Sequence, residues 1–487
     1  MPAANIKTIP LIDSYEKFVN FNNLLANTKY TRKIKIVDMS PETDLISVHS
    51  GVSTKEISLE EFLYNFVNNQ TQYIELNEVA EPLLSSYNFS KLYSRTHPDI
   101  FRKNLCEYAR HLLLIGEKTF EVCDLKVEII PSKTGDKLGF KLLAYRGYKQ
   151  PTFVVIPDII TEIAKEIFYN NHSIKSIVLP NTIKEIKESA FSCSTLEEIE
   201  IPSSVEVIHS CAFRGCESLH TVKLSKGLKK IGERAFCSTG LRSIEIPNTV
   251  IEMGDLAFGY NYELQKVKLS KGLKSIPKHA FECAGIEKLV IPDNIEHIKE
   301  LAFASNVRLK KVDLPHNLKE IGKQAFSESN LEEIIIPEGV ECINSGAFMR
   351  NFSLKKVVLP STLTEIDAQA FNQIGIKEII LPNGIIKIND GAFARCLFLK
   401  DIQLPSSLKY IGKRAFADTR LAKLDLPDSL EEIGELAFSG CTKLREVYIP
   451  KNLKTIKAKA FSDTPLEDTM HFTKDGVEKL RGKRIKV

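Results

Sequence analysis

The 487 residues suffice for two or three ordinary domains or for one domain joined to a repeat array, and 43% apolar with 26% charged residues exclude wholesale disorder. The formal charge of +4, from 66 basic and 62 acidic groups, is too balanced for the broad basic face that nucleic-acid binding needs. No run approaches the length of an apolar membrane-spanning helix, and residues 1–11 hold no basic cluster followed by an apolar core, so a cytoplasmic location is expected, with the cell surface by an unrecognised route as the alternative.

Residues 1–150 show no period and read as a mixed α/β N-terminal domain that also caps the remainder of the chain. Residues 15–25 read as a helix, and 32–38 and 71–76 as strands. Ser58 with Glu61 is a capping-box pair that opens a helix to about residue 68. Pro98 starts a longer helix to about residue 118, and 125–130 with 138–145 read as a hairpin. Ser14 with Lys17, and Lys133 with Gly135, match fragments of the motifs of penicillin-binding enzymes, but the third motif is missing. His97 and His111 fall at the start and middle of a predicted helix and read as structural. There is no C-x-x-C, H-x-x-x-H or phosphate-binding loop, so no catalytic residue, metal or cofactor is expected.

From residue 151 a fixed period takes over. Phenylalanine recurs at 168, 191, 213, 236, 258, 281, 303, 326, 348, 371, 393, 416, 438 and 461, at intervals alternating between 23 and 22. Alanine precedes every one but the first, where Ile167 stands. Upstream of each, an L-x-x-[IL]-x-[IL] segment alternates apolar and polar residues, as a short strand with one buried face does. Proline ends that strand in twelve of fourteen units, with Ser225 and Ser270 in the other two. The Ala-Phe segment lies at helix-like spacing and reads as a short helical turn whose Phe plugs the core. One unit cannot bury its apolar face alone, but stacked units can.

The pattern I-P-x-x-[VIL]-x-x-I-x-x-x-A-F resembles the BspA-like class of leucine-rich repeat, over about residues 153–466. The resemblance implies an α/β solenoid over 151–466, with a parallel β-sheet on one face and short helices or turns on the other, closed by a cap and basic tail at 467–487. Better-known leucine-rich repeats carry an Asn or Cys ladder after the strand. Pro stands there in this chain.

The two residues flanking the middle aliphatic of each strand should point outward. Among them Lys266, Lys268, Lys288 and Lys311 form a local basic patch, and Val290, Ile335, Val358 and Ile380 put apolar groups on the same face. With Glu333, Lys356 and Glu378 they make the candidate partner-binding set, because an apolar centre rimmed by charge suits a protein partner. Cys193, Cys216, Cys237, Cys283, Cys396 and Cys441 fall one to three residues after a repeat Phe and read as small buried turn fillers. The last 21 residues hold six basic and four acidic groups, and the tail around Arg481, Lys483, Arg484 and Lys486 reads as a solvated end; binding of nucleic acid, unlikely elsewhere, or of anionic lipid is the alternative there. A non-enzymatic protein-interaction module fits these features best. The alternatives are a surface adhesin for a host or matrix protein, and a catalytic or inhibitory N-terminal effector delivered by the repeats.

Overall fold

The computed structural model describes residues 158–469 and 479–487 throughout. Before them it describes the strands from Lys7–Pro10 to Phe153–Val155 and residues 109, 112–114, 116, 118 and 156. The chain divides into two compact units, Met1–Ala190 and Phe191–Val487.

In the first unit, Lys7–Pro10, Tyr73–Leu76, Ile34–Ser40, Leu45–Ser50 and Ser53–Ser58 lie in that order in one sheet. It is antiparallel except where Ile34–Ser40 meets Tyr73–Leu76. The expected strands at 32–38 and 71–76 are two of these, while the expected helix over 15–25 and, beyond Ser58, that over 58–68 lie outside the described residues, as does most of that over 98–118. The expected hairpin forms from Leu125–Pro131 and Leu138–Tyr145. Leu138–Tyr145 then pairs in parallel with Glu162–Ile163, the first short strand of the repeats. The Tyr145 ring meets Phe168 at 5.7 Å, tilted by 54°. The first repeat is thereby joined to the N-terminal strands within the first unit.

The second unit is a β-solenoid. Each turn contributes one three-residue strand, such as Glu333–Ile335, and one two-residue strand, such as Cys342–Ile343. The Phe side chains form a single internal column, in which successive rings from Phe191 to Phe461 stack with centroids 5.0–5.8 Å apart and planes within 16°. These rings are fully buried, and removing each from water contributes roughly 1.5–3 kcal/mol. The preceding Ala is fully buried as well. Its missing bulk lets adjacent backbones close up, so that each Phe N–H donates to the Ala carbonyl of the next turn, as Phe303 does to Ala325 at 2.8 Å.

The Ala-Phe segment is a tight turn, not a helical one. The residues two before and two after each Phe, from Glu166 to Asp463, have φ between 52° and 73°. Left-handed residues four apart break any right-handed helix. Between Phe191 and Thr469 the described residues contain no α-helix, only a 3-10 turn at Glu467–Thr469.

The alternation of intervals has a structural meaning. After Phe213, six residues lead to Leu219, whereas after Phe236 five lead to Leu241, and these longer and shorter turns alternate along the chain. The longer turns carry Cys216, Asn261, Asn306, Asn351, Cys396 and Cys441 three residues after Phe. Each donates back to the Phe carbonyl of the preceding shorter turn, from Cys216 Sγ to Phe191 O (2.9 Å) to Cys441 Sγ to Phe416 O (3.2 Å). An Asn/Cys ladder is thus present. It is displaced from the strand end to the turn after Phe, and it runs through every second unit.

In one place the ladder is incomplete. Asn306 Oδ1 is buried without a hydrogen-bond partner, because the shorter turn beneath it carries Ala284 where Thr239 lies beneath Asn261. Thr239 donates its hydroxyl to Asn261 Oδ1 at 2.5 Å. Ala284→Thr is therefore expected to raise the unfolding free energy by about 1 kcal/mol, read from the urea midpoint. An unchanged or lower midpoint would mean that Asn306 does not tolerate the added group.

Four of the six cysteines read as turn fillers are buried: Cys216, Cys237, Cys396 and Cys441. Cys193 is exposed and Cys283 half-buried, because both stand two residues after Phe at the left-handed position, where the side chain turns outward. Burial pushes the Cys396 thiol up to about 12 and those of Cys216 and Cys441 to about 11. A thiol reacts as its thiolate. Iodoacetamide at pH 8 is expected to modify Cys193 and spare these three, as read by peptide mass spectrometry on native protein.

The chain ends in structure. Lys483–Lys486 pairs antiparallel with Glu446–Ile449, closing a three-stranded sheet with Lys423–Asp425. Arg484 reaches Glu446 at 2.7 Å and Asp425 at 2.8 Å, and Arg481 donates to Leu453 O. The basic end read as solvated is a strand, in which Arg484 and Lys486 answer carboxylates. The Arg484 guanidinium holds the Glu446 carboxyl below the usual carboxylate range. Deleting residues 479–487 is expected to bare the Glu446–Ile449 edge and cause concentration-dependent association, measured by light scattering.

Candidate protein-binding face

The three-residue strands project the candidate residues. In each, the middle aliphatic turns into the core and its two neighbours turn out, as in Lys288, Leu289 and Val290. Lys266, Lys268, Lys288, Val290, Lys311, Ile335, Lys356, Val358, Glu378 and Ile380 are all exposed, and Glu333 is half-buried. Ile380 is the most open, at 81%.

Register decides which of them meet. Ile335 lies opposite Val358 and Glu333 opposite Lys356, while Lys288 lies opposite Lys311 and Val290 opposite Asp313. Ile380 lies opposite Gln403 on the next pair of strands, and the turn carrying it follows directly on that carrying Val358. Ile335, Val358 and Ile380 thus form one apolar row across three successive turns, and Val290 stands apart from it behind Asp313.

From Ser243 on, strand pairing on this face runs in doublets. Ser243–Glu245 pairs with Lys266–Lys268, Lys288–Val290 with Lys311–Asp313, and Glu333–Ile335 with Lys356–Val358, with seams between the doublets. The two-residue strands form an unbroken nine-stranded ladder from Ser275–Ile276 to Thr455–Ile456. Before Ser243 the three-residue strands from Phe153–Val155 to Thr221–Lys223 instead form one continuous four-stranded sheet.

The expected basic patch is smaller than its sequence implies. Lys268 pairs with Glu245, and Lys311 lies 3.8 Å from Asp313 and 3.9 Å from Glu333. Glu333 also meets Lys356 at 3.9 Å, giving a charge chain across three turns beside the apolar row. Exposed pairs of this kind add about 0–1 kcal/mol each, so they serve selectivity more than stability. Among the described residues Lys266 and Lys288 have no ion pair, and they face each other across a seam.

Sequence reasoning missed a second exposed row. Tyr262, Val307, Phe352 and Leu397, all exposed, follow one residue after Asn261, Asn306, Asn351 and Cys396, on the longer turns. Their signal was a 45-residue interval. It is hidden when only the 22- and 23-residue periods are compared.

A parallel β-solenoid with Phe-column turns defines the class of this protein as a leucine-rich-repeat array. The family model for the BspA type leucine rich repeat region matches residues 143–265, 252–377 and 364–481, and the chain belongs to that family. It is similar to the crystal structure of a leucine-rich repeat protein from Bacteroides ovatus, at 27% identity over 71% of this chain and 92% of that one, with a TM-score of 0.61. The pneumococcal vaccine antigen PcpA is 20% identical over 71% of this chain and 87% of its own, with a TM-score of 0.42. A leucine-rich repeat protein of T. pallidum is 26% identical over 42% of this chain and 86% of its own, with a TM-score of 0.34. No curated protein matches the chain. Among the described residues no helix is long and apolar enough to cross a membrane.

Proposed function

We propose that the chain is a non-enzymatic interaction module that holds a protein partner against the outward face of its three-residue strands. The apolar row Ile335, Val358 and Ile380, beside the Lys311–Glu333–Lys356 charge chain, carries this reading. Apolar side chains on a solvent-facing strand give contact energy at a partner's surface, and the bordering charges select among partners. Lys266 and Lys288 extend the face with unanswered positive charge, which favours a partner acidic at that end. In the same reading residues 1–150 form an N-terminal domain and cap, 151–466 the binding solenoid, and 467–487 the closing cap.

Affinity purification of the full chain from its native host, with mass spectrometry, tests this. Joint substitution of Lys266→Glu, Lys288→Glu, Ile335→Ser and Ile380→Ser is expected to abolish capture of a specific partner with Tm unchanged. Undiminished capture by the variant counts against the face. Labelling of intact cells separates a cytoplasmic module from a surface adhesin, and activity of residues 1–150 alone would favour the effector alternative.

A further inference from the structure

We propose a second binding site on the turn edge of the solenoid: the strip Phe352, Lys355, Lys377, Leu397, Phe398 and Lys400 binds an extended acidic peptide that presents an apolar residue at every third position. It is separate from the strand face and does not depend on it.

The strip is built from two kinds of turn. The longer turns bring out Phe352, 67% exposed, and the adjacent pair Leu397 and Phe398, both more than half exposed. Between them the shorter turn offers Gly375, where an added Cβ would come within 2.2 Å of the Phe352 carbonyl, so this place stays without a side chain. The edge is thus a ridge, a notch and a ridge. Val307, also 67% exposed, continues it by one more period.

Charge selects the occupant. Lys355, Lys377 and Lys400 immediately precede three successive strands on this edge, all exposed, and none has a carboxylate at ion-pair distance among the described residues. Lys311, Lys356 and Lys413 on neighbouring turns each do have one. Three unanswered cations interleaved with aromatic and aliphatic groups call for an anionic partner with apolar side chains.

Width and period select its form. Glu378 and Asp401 directly follow Lys377 and Lys400 as the first residues of their strands. A broad anionic surface, or a helix some 10 Å across, would press on those carboxylates, whereas a single extended chain lies over the edge alone. Ridges recur every second turn, or two strand spacings, about 9.5 Å. A polyproline II chain repeats every three residues, about 9.3 Å, so one side chain per turn of the ligand meets each notch.

The probe is a fluorescein-labelled peptide of three Pro-Glu-Leu triplets, titrated against the full chain by anisotropy. Saturable binding that weakens as salt rises is expected. Phe352→Ser with Leu397→Ser, and separately Lys377→Glu with Lys400→Glu, should each weaken it by about tenfold or more, with the thermal midpoint unchanged. Ile335→Ser with Ile380→Ser should leave it unaltered, so that loss of the strand-face reading and loss of this one are told apart. The proposal is overturned by absence of saturable binding, by equal binding of a same-composition peptide with its leucines adjacent, or by phosphatidylglycerol vesicles or single-stranded oligonucleotide binding where the peptide does not.

Discussion

Phe326→Ala is expected to lower the unfolding free energy of the solenoid by about 3–5 kcal/mol. Phe326 is fully buried in the middle of the ring column, 5.4 Å from Phe303 and 5.8 Å from Phe348. Removing it deletes packing on both sides at once and leaves a hole that neither neighbour fills, because both are fixed by their own backbone bonds. A repeat array holds together through nearest-neighbour interfaces, so a weak central interface lets its two halves unfold separately. Urea unfolding followed by far-UV circular dichroism should become biphasic. Phe461→Ala, at the end of the column with one stacked neighbour, should cost less and keep a single transition. A loss below about 1 kcal/mol for Phe326→Ala would show that the column is not the main source of cohesion.

Asn261→Leu should cost as much as a core cavity although it adds apolar bulk, about 3–5 kcal/mol. Asn261 Oδ1 accepts the Thr239 N–H at 2.8 Å and the Thr239 hydroxyl, and its Nδ2 donates to Phe236 O and Phe258 O, both at 2.8 Å. Leucine leaves the Phe258 carbonyl and the Thr239 N–H buried and unanswered, each costing roughly 1–3 kcal/mol, and leaves Phe236 O only the Thr239 hydroxyl at 3.4 Å. Asn261→Cys is the informative control. Cysteine fills the equivalent place at 216, 396 and 441 and still donates to the preceding Phe carbonyl, so most of the loss should be recovered. Calorimetry of both variants checks this ordering, and equal losses for Leu and Cys would contradict the ladder's role.

The fold was legible because one residue type repeats without fail. A Phe at constant spacing fixes the turn, and alternation before Pro fixes the strand and which residues face out. The turn's conformation was not legible, because of the left-handed positions bracketing each Phe only Gly215, Gly346, Gly391 and Gly440 are glycine. Arg234, Leu256 and Glu328 occupy such positions with no local preference for them, held there by stacking. Lys311 and Lys268 read as a basic patch because the carboxylates of Glu333 and Glu245 lie one turn away and the pairing follows register. The C-terminal strand hid in the same way: Lys483 to Lys486 resembles a solvated basic end until Glu446 and Asp425 are brought beside it. In the candidate site the outward positions were readable, whereas the grouping of Ile335, Val358 and Ile380 into one row, apart from Val290, depended on strand neighbours.

The alternation of longer and shorter turns sets the step by which such a chain changes length. Loss or gain of 45 residues returns every Asn or Cys to a shorter turn beneath it and every strand to its doublet. Loss of 22 or 23 sets two turns of one kind against each other and breaks the alternation of the ladder at that junction. Recombination within a gene of this kind should therefore leave viable products only in double units, and an even number of turns is inherited together with whatever surface each pair displays.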